Sequence, residues 1–285
     1  MLVRSPAPAL AQFVDHLWYV DEPLPPGRDR ALPTGAAQIV VNLADDHLHW
    51  YDGARLDDEH ATAGAGLCAA LDRPIGVDTV DQAATAGVVF RPGGVAAFVD
   101  PPVHVLTDPV TGLDDLWGVD GACVRERVLT AAPAPAARLA VLERVLLDRL
   151  ARAGRFAPDP GLGFAVGALA RGAAVGSVVD RVGLSTSTFQ RRFRGAVGLS
   201  PKRFARVRRL QRVLSERGAD PVDVDWALVA ATHGYADQAH LIHEFRALTG
   251  VTPGRYRPRS ADALNHVPLT DFSNHRRADR ATMVA

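Results

Sequence analysis

The 285-residue chain is expected to fold as an α+β protein of two domains, mostly β over residues 1–130 and all-α over residues 160–260. Three observations carry that expectation. A helical block repeats itself in register through the C-terminal half, short alternating runs fill the N-terminal half, and charge divides between them. Residues 1–159 hold 13 Arg against 22 acids, net −9, whereas residues 160–260 hold 15 Arg and Lys202 against 7 acids, net +9. A neutral whole that hides one basic domain points to phosphate binding by that domain. Lys202 is the only lysine, so the basic face is built of guanidinium, whose planar fork suits phosphates and base edges.

The N-terminal strands are read at residues 38–43, 47–51 and 86–90, apolar or alternating runs bounded by Gly, Pro and Asp. Short strands with frequent turns suggest a sandwich or barrel. Arg91-Pro92-Gly93-Gly94 is a turn, with a short apolar helix expected over residues 95–99. His47 and His49 share one strand face by period-two spacing, so with Glu59 or His60 they could hold a metal. The intervening Asp57-Asp58 and the lack of a second spaced His motif favour histidines that are merely solvated or hydrogen-bonded, and no metal or cofactor is expected. Arg91 is weighed as a salt bridge within the domain against a clamp for an effector carboxylate. Cys68 and Cys123 read as two buried free thiols in a cytoplasmic protein, since the chain shows neither a signal peptide nor a membrane-length apolar run.

Residues 131–159 are read as helix and linker. Leu139, Leu142, Val145, Leu146 and Leu150 form a stripe at 3–4 spacing, suited either to packing on the β domain or to a dimer seam. Gly and Pro over residues 154–163 then mark a linker. Residues 261–285 are polar and short of core residues, and disorder is expected there.

The C-terminal block says one thing twice. Phe193-Arg194, Gly198, Pro201 and Phe204 recur 52 positions later as Phe245-Arg246, Gly250, Pro253 and Tyr256. Ahead of each copy lie a short helical segment, a Gly turn at Gly183 or Gly234, and a second helix, which is helix-turn-helix spacing. The glycines suit the left-handed conformation at a helix end, and Ser185 and Asp237 follow as N-caps. Ser200-Pro201 and Thr252-Pro253 read as cap-plus-proline starts for the helix after each unit. In the first reading helix Phe189 and Phe193 face inward, while Ser187, Gln190, Arg191 and Arg194 point away. Arg and Gln so placed can make two-pronged contacts with guanine and adenine edges in a major groove.

Residues 160–260 resemble the tandem helix-turn-helix domain of the AraC/XylS family of transcription regulators. The match is carried by residues 185–193 (STSTFQRRF) and by Gly234-Tyr235-Ala236-Asp237-Gln238-Ala239-His240. The resemblance implies that one long helix, Pro201–Arg217, holds two units whose second helices enter successive major grooves. It places base reading on Ser187, Gln190 and Arg191, and on Gln238, Ala239, His240 and His243; beside the first set, Arg192 and Arg194 are read as backing it with phosphate contacts. Val179 stands where relatives carry a small residue at the helix contact, Gly176 adds a helix-breaking residue, and His243 stands where many relatives carry Arg. Leu32-Pro33-Thr34-Gly35, Arg91-Pro92-Gly93-Gly94 and residues 113–118 (LDDLWG) resemble an uncharacterised N-terminal domain attached to some such regulators. In better-known relatives that place is taken by a cupin-like β-barrel that senses a small molecule.

The resemblance thus implies a sequence-specific transcription regulator with double-stranded DNA as partner, a small-molecule effector, a homodimer, and RNA polymerase if it activates. Cytoplasmic, nucleoid-associated localisation goes with it. No catalytic constellation stands out, and an enzyme is not expected. Two competing readings are a cupin-type metalloenzyme fused to a DNA-binding module, and a constitutive DNA-binding protein whose β domain only dimerises.

Overall fold

Eleven strands and ten helices are laid out in a computed structural model that describes residues 1–153, 159–217 and 224–269, with Arg217 described by its backbone alone. The strands are β1 (Leu2–Arg4), β2 (Val14–Asp21), β3 (Arg28–Ala31), β4 (Gln38–Asn42), β5 (His47–Asp52), β6 (Asp58–Ala63), β7 (Ala65–Cys68), β8 (Ile75–Asp78), β9 (Ala84–Phe90), β10 (Val110–Gly112) and β11 (His266–Pro268). They form two antiparallel sheets, ordered β1-β2-β9-β4-β7-β10 and β11-β3-β8-β5-β6. The three expected strands are present as β4, β5 and β9. Trp18 lies opposite Gly87 in the β2–β9 register, and any Cβ at residue 87 would meet the indole at 2.4 Å. That close approach is why glycine occupies the centre of an apolar strand.

Three short helices, α1 (Leu113–Trp117), α2 (Val119–Ala122) and α3 (Val124–Leu129), lead into α4 (Pro135–Arg152). Leu139, Leu142, Val145 and Leu146 of α4 are buried in one core with Leu17, Ile39, Val88 and Phe90 of the first sheet. The stripe packs on the β domain and is therefore not a free dimer seam. Arg4 ties β1 to the same helix through Glu143, at 2.8 Å. The short helix expected at residues 95–99 is a 3-10 turn, Gly94–Ala97, and a second such turn spans Val103–Val105.

The remaining helices are α5 (Pro160–Ala170), α6 (Val175–Val182), α7 (Thr186–Val197), α8 (Pro201–Arg217), α9 (Trp226–His233) and α10 (Gln238–Thr249). Residues 159–163 are not linker: Asp159 caps α5, accepting from the N–H groups of Gly161 and Leu162, and residues 154–158 lie outside the described residues. Thr252-Pro253 starts only a 3-10 turn, Pro253–Arg255, rather than a helix.

Two expectations about the ends of the domains are corrected. The tail is not disordered over residues 261–269: β11 returns to the N-terminal domain and pairs with β3, His266 opposite Ala31. Residues 270–285 lie outside the described residues. Nor is the chain boundary a structural one, because Leu32, Ala70 and Val267 are buried in the same core as Phe193, Phe204 and Phe245. Residues 32–35 do the docking. Arg208 donates to the Thr34 carbonyl (3.0 Å) and Gln211 to the Pro33 carbonyl (2.8 Å). Gly35, at φ +79°, lies against Phe204 and Arg208. Gly93, at φ +88°, likewise faces Leu162 and Val197, so both glycine motifs of the N-terminal domain serve as its contact with the helical one.

Candidate nucleic-acid interface

Both helix-turn-helix units are built by the same local rules. α6 ends on Gly183 (φ 71°, ψ 25°) and α9 on Gly234 (φ 73°, ψ 35°), the left-handed cap that glycine adopts without a Cβ clash. Ser185 then accepts from the Thr188 N–H at 3.3 Å, and Asp237 from the His240 N–H at 2.7 Å. α7 and α10 in turn stop on Gly198 and Gly250, again left-handed. The 52-residue repeat is explained by its aromatic rings. Phe193 meets Phe204 edge-on at 5.5 Å in the first unit, and Phe245 meets Tyr256 edge-on at 5.7 Å in the second. Each pair locks the second helix of its unit to the segment after it.

With Phe189 and Phe193 turned inward, α7 exposes Ser187, Gln190, Arg191, Arg192 and Arg194. The three arginines have no ion-pair partner among the described residues. α10 exposes Gln238, Ala239 and His243. His240 is placed differently from the other expected readers. Its Nδ1 accepts the Ala236 N–H at 3.1 Å, its Nε2 lies 3.5 Å from Glu244, and its ring meets Tyr235 edge-on, so the imidazole closes the turn of its own unit.

Much of the basic charge is structural. Arg206 donates to Glu244 (2.7 Å), Arg209 sits over the Tyr235 ring, and Arg203 pairs with Asp72 of the β domain (3.2 Å). Arg212 donates to the Ala170 carbonyl. Between α5, α8 and α9 a cleft of about 240 Å³ is lined by Arg171, Arg209, Arg212 and His233. Burial first, and then the Arg209 charge, hold the Arg212 guanidinium below its ordinary pKa, so like charges crowd there without full compensation.

Residues 178–259 match a family of helix-turn-helix domains, and residues 3–111 match a domain of unknown function, DUF6597. The C-terminal segment is thus a helix-turn-helix domain of the AraC type. No curated protein matches the chain. Among solved structures it is similar to apo ToxT K231A from Vibrio cholerae, at 9% identity and TM-score 0.43, covering 86% of this chain and 96% of that one. Unsaturated fatty acid bound ToxT from the same organism compares at 9% identity and TM-score 0.43, covering 90% and 94%. The xylose-binding transcription activator xylR compares at 21% identity and TM-score 0.29, covering 43% and 37%.

The other expected site residues fall as follows. His47 is exposed and pairs with Asp46 (2.8 Å), whereas His49 is buried and bonded to Asp81 (2.9 Å). His60 stacks on Trp50 at 4.0 Å, and Glu59 is exposed beside it on β6. Among the described residues the one group close enough to share a metal is Asp45, Asp46 and His47, on the surface. Arg91 donates to the Ala11 carbonyl (2.8 Å) and lies 3.8 Å from Asp15, a bond network within the domain. Cys123 is exposed rather than buried, while burial pushes the Cys68 thiol up to about 12. Arg208, Gln211 and Arg259, which join the domains, carried no local signal: a cation on a helix or in a polar tail looks the same whether it faces water or another domain.

Proposed function

We propose that this AraC-type regulator reads two half-sites with unequal sets of side chains. Ser187, Gln190 and Arg191 address bases in one major groove; Gln238, Ala239 and His243 address the next. Arg192 and Arg194 neutralise phosphates and set register. The carrying observation is the exposed row Gln190, Arg191, Arg192 and Arg194, without ion-pair partners among the described residues, on a helix whose opposite face is buried. The cleft at Arg171 and Arg212 supplies further positive charge between the units.

The test is selection of bound fragments from genomic DNA by the purified full chain, followed by affinity against salt. Enrichment of one two-part sequence is expected, with a log–log salt slope of about −0.9 per phosphate neutralised. A flat salt response, or no enriched sequence, overturns the reading.

We further propose that the β domain receives a small molecule and passes the signal through residues 32–35 and 91–94. Support comes from their position: these loops touch α8, α5 and α7, so a shift in the sheets moves the reading helices. A metabolite that raises the melting temperature of the full chain and also changes its DNA affinity is the expected outcome. Ligands that stabilise the protein without altering DNA affinity would refute the signalling role.

A further inference from the structure

The segment after the second reading unit is tied at both ends. Tyr256 is buried against Phe245 of α10 and donates from its hydroxyl to the Leu264 carbonyl at 2.6 Å. The Arg259 N–H donates to the His266 carbonyl at 2.7 Å, closing residues 259–266 into a loop that delivers β11 to β3. Val267 then enters the helical core, and the Asn265 carbonyl accepts the Leu32 N–H at 2.8 Å. Gln211 of α8 donates to the Asn265 side chain at 2.8 Å, so strap, long helix and β domain meet at one point.

At the centre lies Asp29, with no exposed surface. A carboxylate there needs partners, because an isolated buried charge costs several kcal/mol. Both partners come from the strap. Arg259 meets it with two guanidinium nitrogens, Nε at 2.8 Å, and His266 Nδ1 lies 3.6 Å away. Removing the strap would leave Asp29 unpaired, so strap and β3 specify each other.

The first reading unit is held elsewhere. Gly198, the cap of α7, lies against Val103 of the 3-10 turn, and Val197 against Gly93. One β domain therefore grips the two units at separate places: the first by apolar turns, the second by the strap and by Arg30 packed on Gly250. None of the exposed readers on α7 or α10 is covered by this grip.

Resting on the two-half-site reading above, we infer that residues 256–269 are a brace, and that Arg259 and Asp29 are positioning residues for simultaneous reading of both grooves. Two successive major grooves present their edges one helical turn apart, and helices already held at that spacing avoid the cost of being ordered on binding. The second half-site is then engaged at high effective concentration, and releasing the brace lowers that concentration without touching a reader.

The experiment compares the full chain, Arg259→Gln, Asp29→Asn, and a chain ended at Ser260. DNA probes are a genomically selected fragment with both half-sites and the same fragment with the second half-site scrambled. Amide hydrogen exchange at residues 28–31 reports strap release. We expect faster exchange in all three variants, about tenfold or more weaker binding to the two-part fragment, and one-part binding within about twofold of the full chain. Faster exchange with two-part affinity unchanged overturns the inference, leaving the strap as packing only. An equal loss on both fragments also overturns it, because the fold of the readers would then be the cause. Unchanged exchange shows that the pair does not hold the strap, which overturns it as well. Failure of the unaltered chain to prefer any fragment would instead refute the half-site reading itself.

Discussion

The two helix-turn-helix units share a backbone design and differ in where they keep their charge. In the first, α7 carries its arginines outward and keeps only aromatic and aliphatic groups behind them. In the second, α10 carries Glu244 on its inner face, engaged by Arg206, Arg209 and His240, and exposes Gln238 and Arg246 as its side chains with forked geometry. The first reading helix turns three arginines outward, whereas the second turns out Arg246 alone and draws cations of α8 onto its own buried acid. Their attachments differ in the same sense, apolar turns for the first and an ionic strap for the second. A duplicated fold thus need not make duplicated readers. The helix ends and aromatic pairs are common to both, while reading depends on which faces remain free.

The largest test strikes what the units share. Phe204 is fully buried, meets Phe193 edge-on and packs on Gly35 of the β domain. Phe204→Ala should cost about 3–5 kcal/mol. Because it joins both domains, thermal melting followed by circular dichroism should show one lowered transition. Two separated transitions would mean that the domains unfold independently.

Unequal reading comes next in size. Arg191→Ala should relax base preference in the first half-site by about 1–3 kcal/mol, measured by competition among single-base variants of the selected fragment. Arg194→Ala should weaken all sequences alike and reduce the salt slope by about 0.9. Equal information in the two half-sites would remove the asymmetry.

A smaller effect, confined to acid, sharpens the contrast in attachment. Burial alone would raise the Asp29 pKa, but the neighbouring His266 ring and the hydrogen bonds and charge of Arg259 outweigh it and leave it below the ordinary value. A depressed folded pKa means stability that is present above the unfolded value, near about 3.9, and lost as pH falls through the folded one. Denaturant melts between pH 5 and 2, limits chosen to bracket about 3.9, should therefore show a steeper loss for the unaltered chain than for Asp29→Asn. Parallel curves would show that Asp29 does not drive acid release of the strap.

The smallest effect is a gain. A Cβ at Gly176 of α6 would meet nothing within 4 Å. Gly176→Ala should stabilise the first unit by about 0.5 kcal/mol, the low end of the helix scale for a first-turn site. A lower melting temperature would indicate that the glycine serves a contact made only with DNA.

What the sequence determined by itself is local in origin. Gly183, Gly234, Ser185 and Asp237 act within four residues of themselves, through backbone conformation and capping, so their roles could be read without knowing any neighbour. The phenylalanine spacing, α8 and the stripe of α4 were legible for the same reason: periodicity along one chain states which face is buried. Only the tertiary structure decided what that stripe meets, why the 32–35 and 91–94 motifs exist, and where residues 261–269 go. Arg259 and Asp29 lie 230 residues apart. An ion pair across that separation leaves no pattern in either segment, since a polar tail and an aspartate between two arginines each look solvated alone. His240 shows the same limit at short range, because whether an imidazole faces a groove or closes its own turn depends on a rotamer that spacing does not specify.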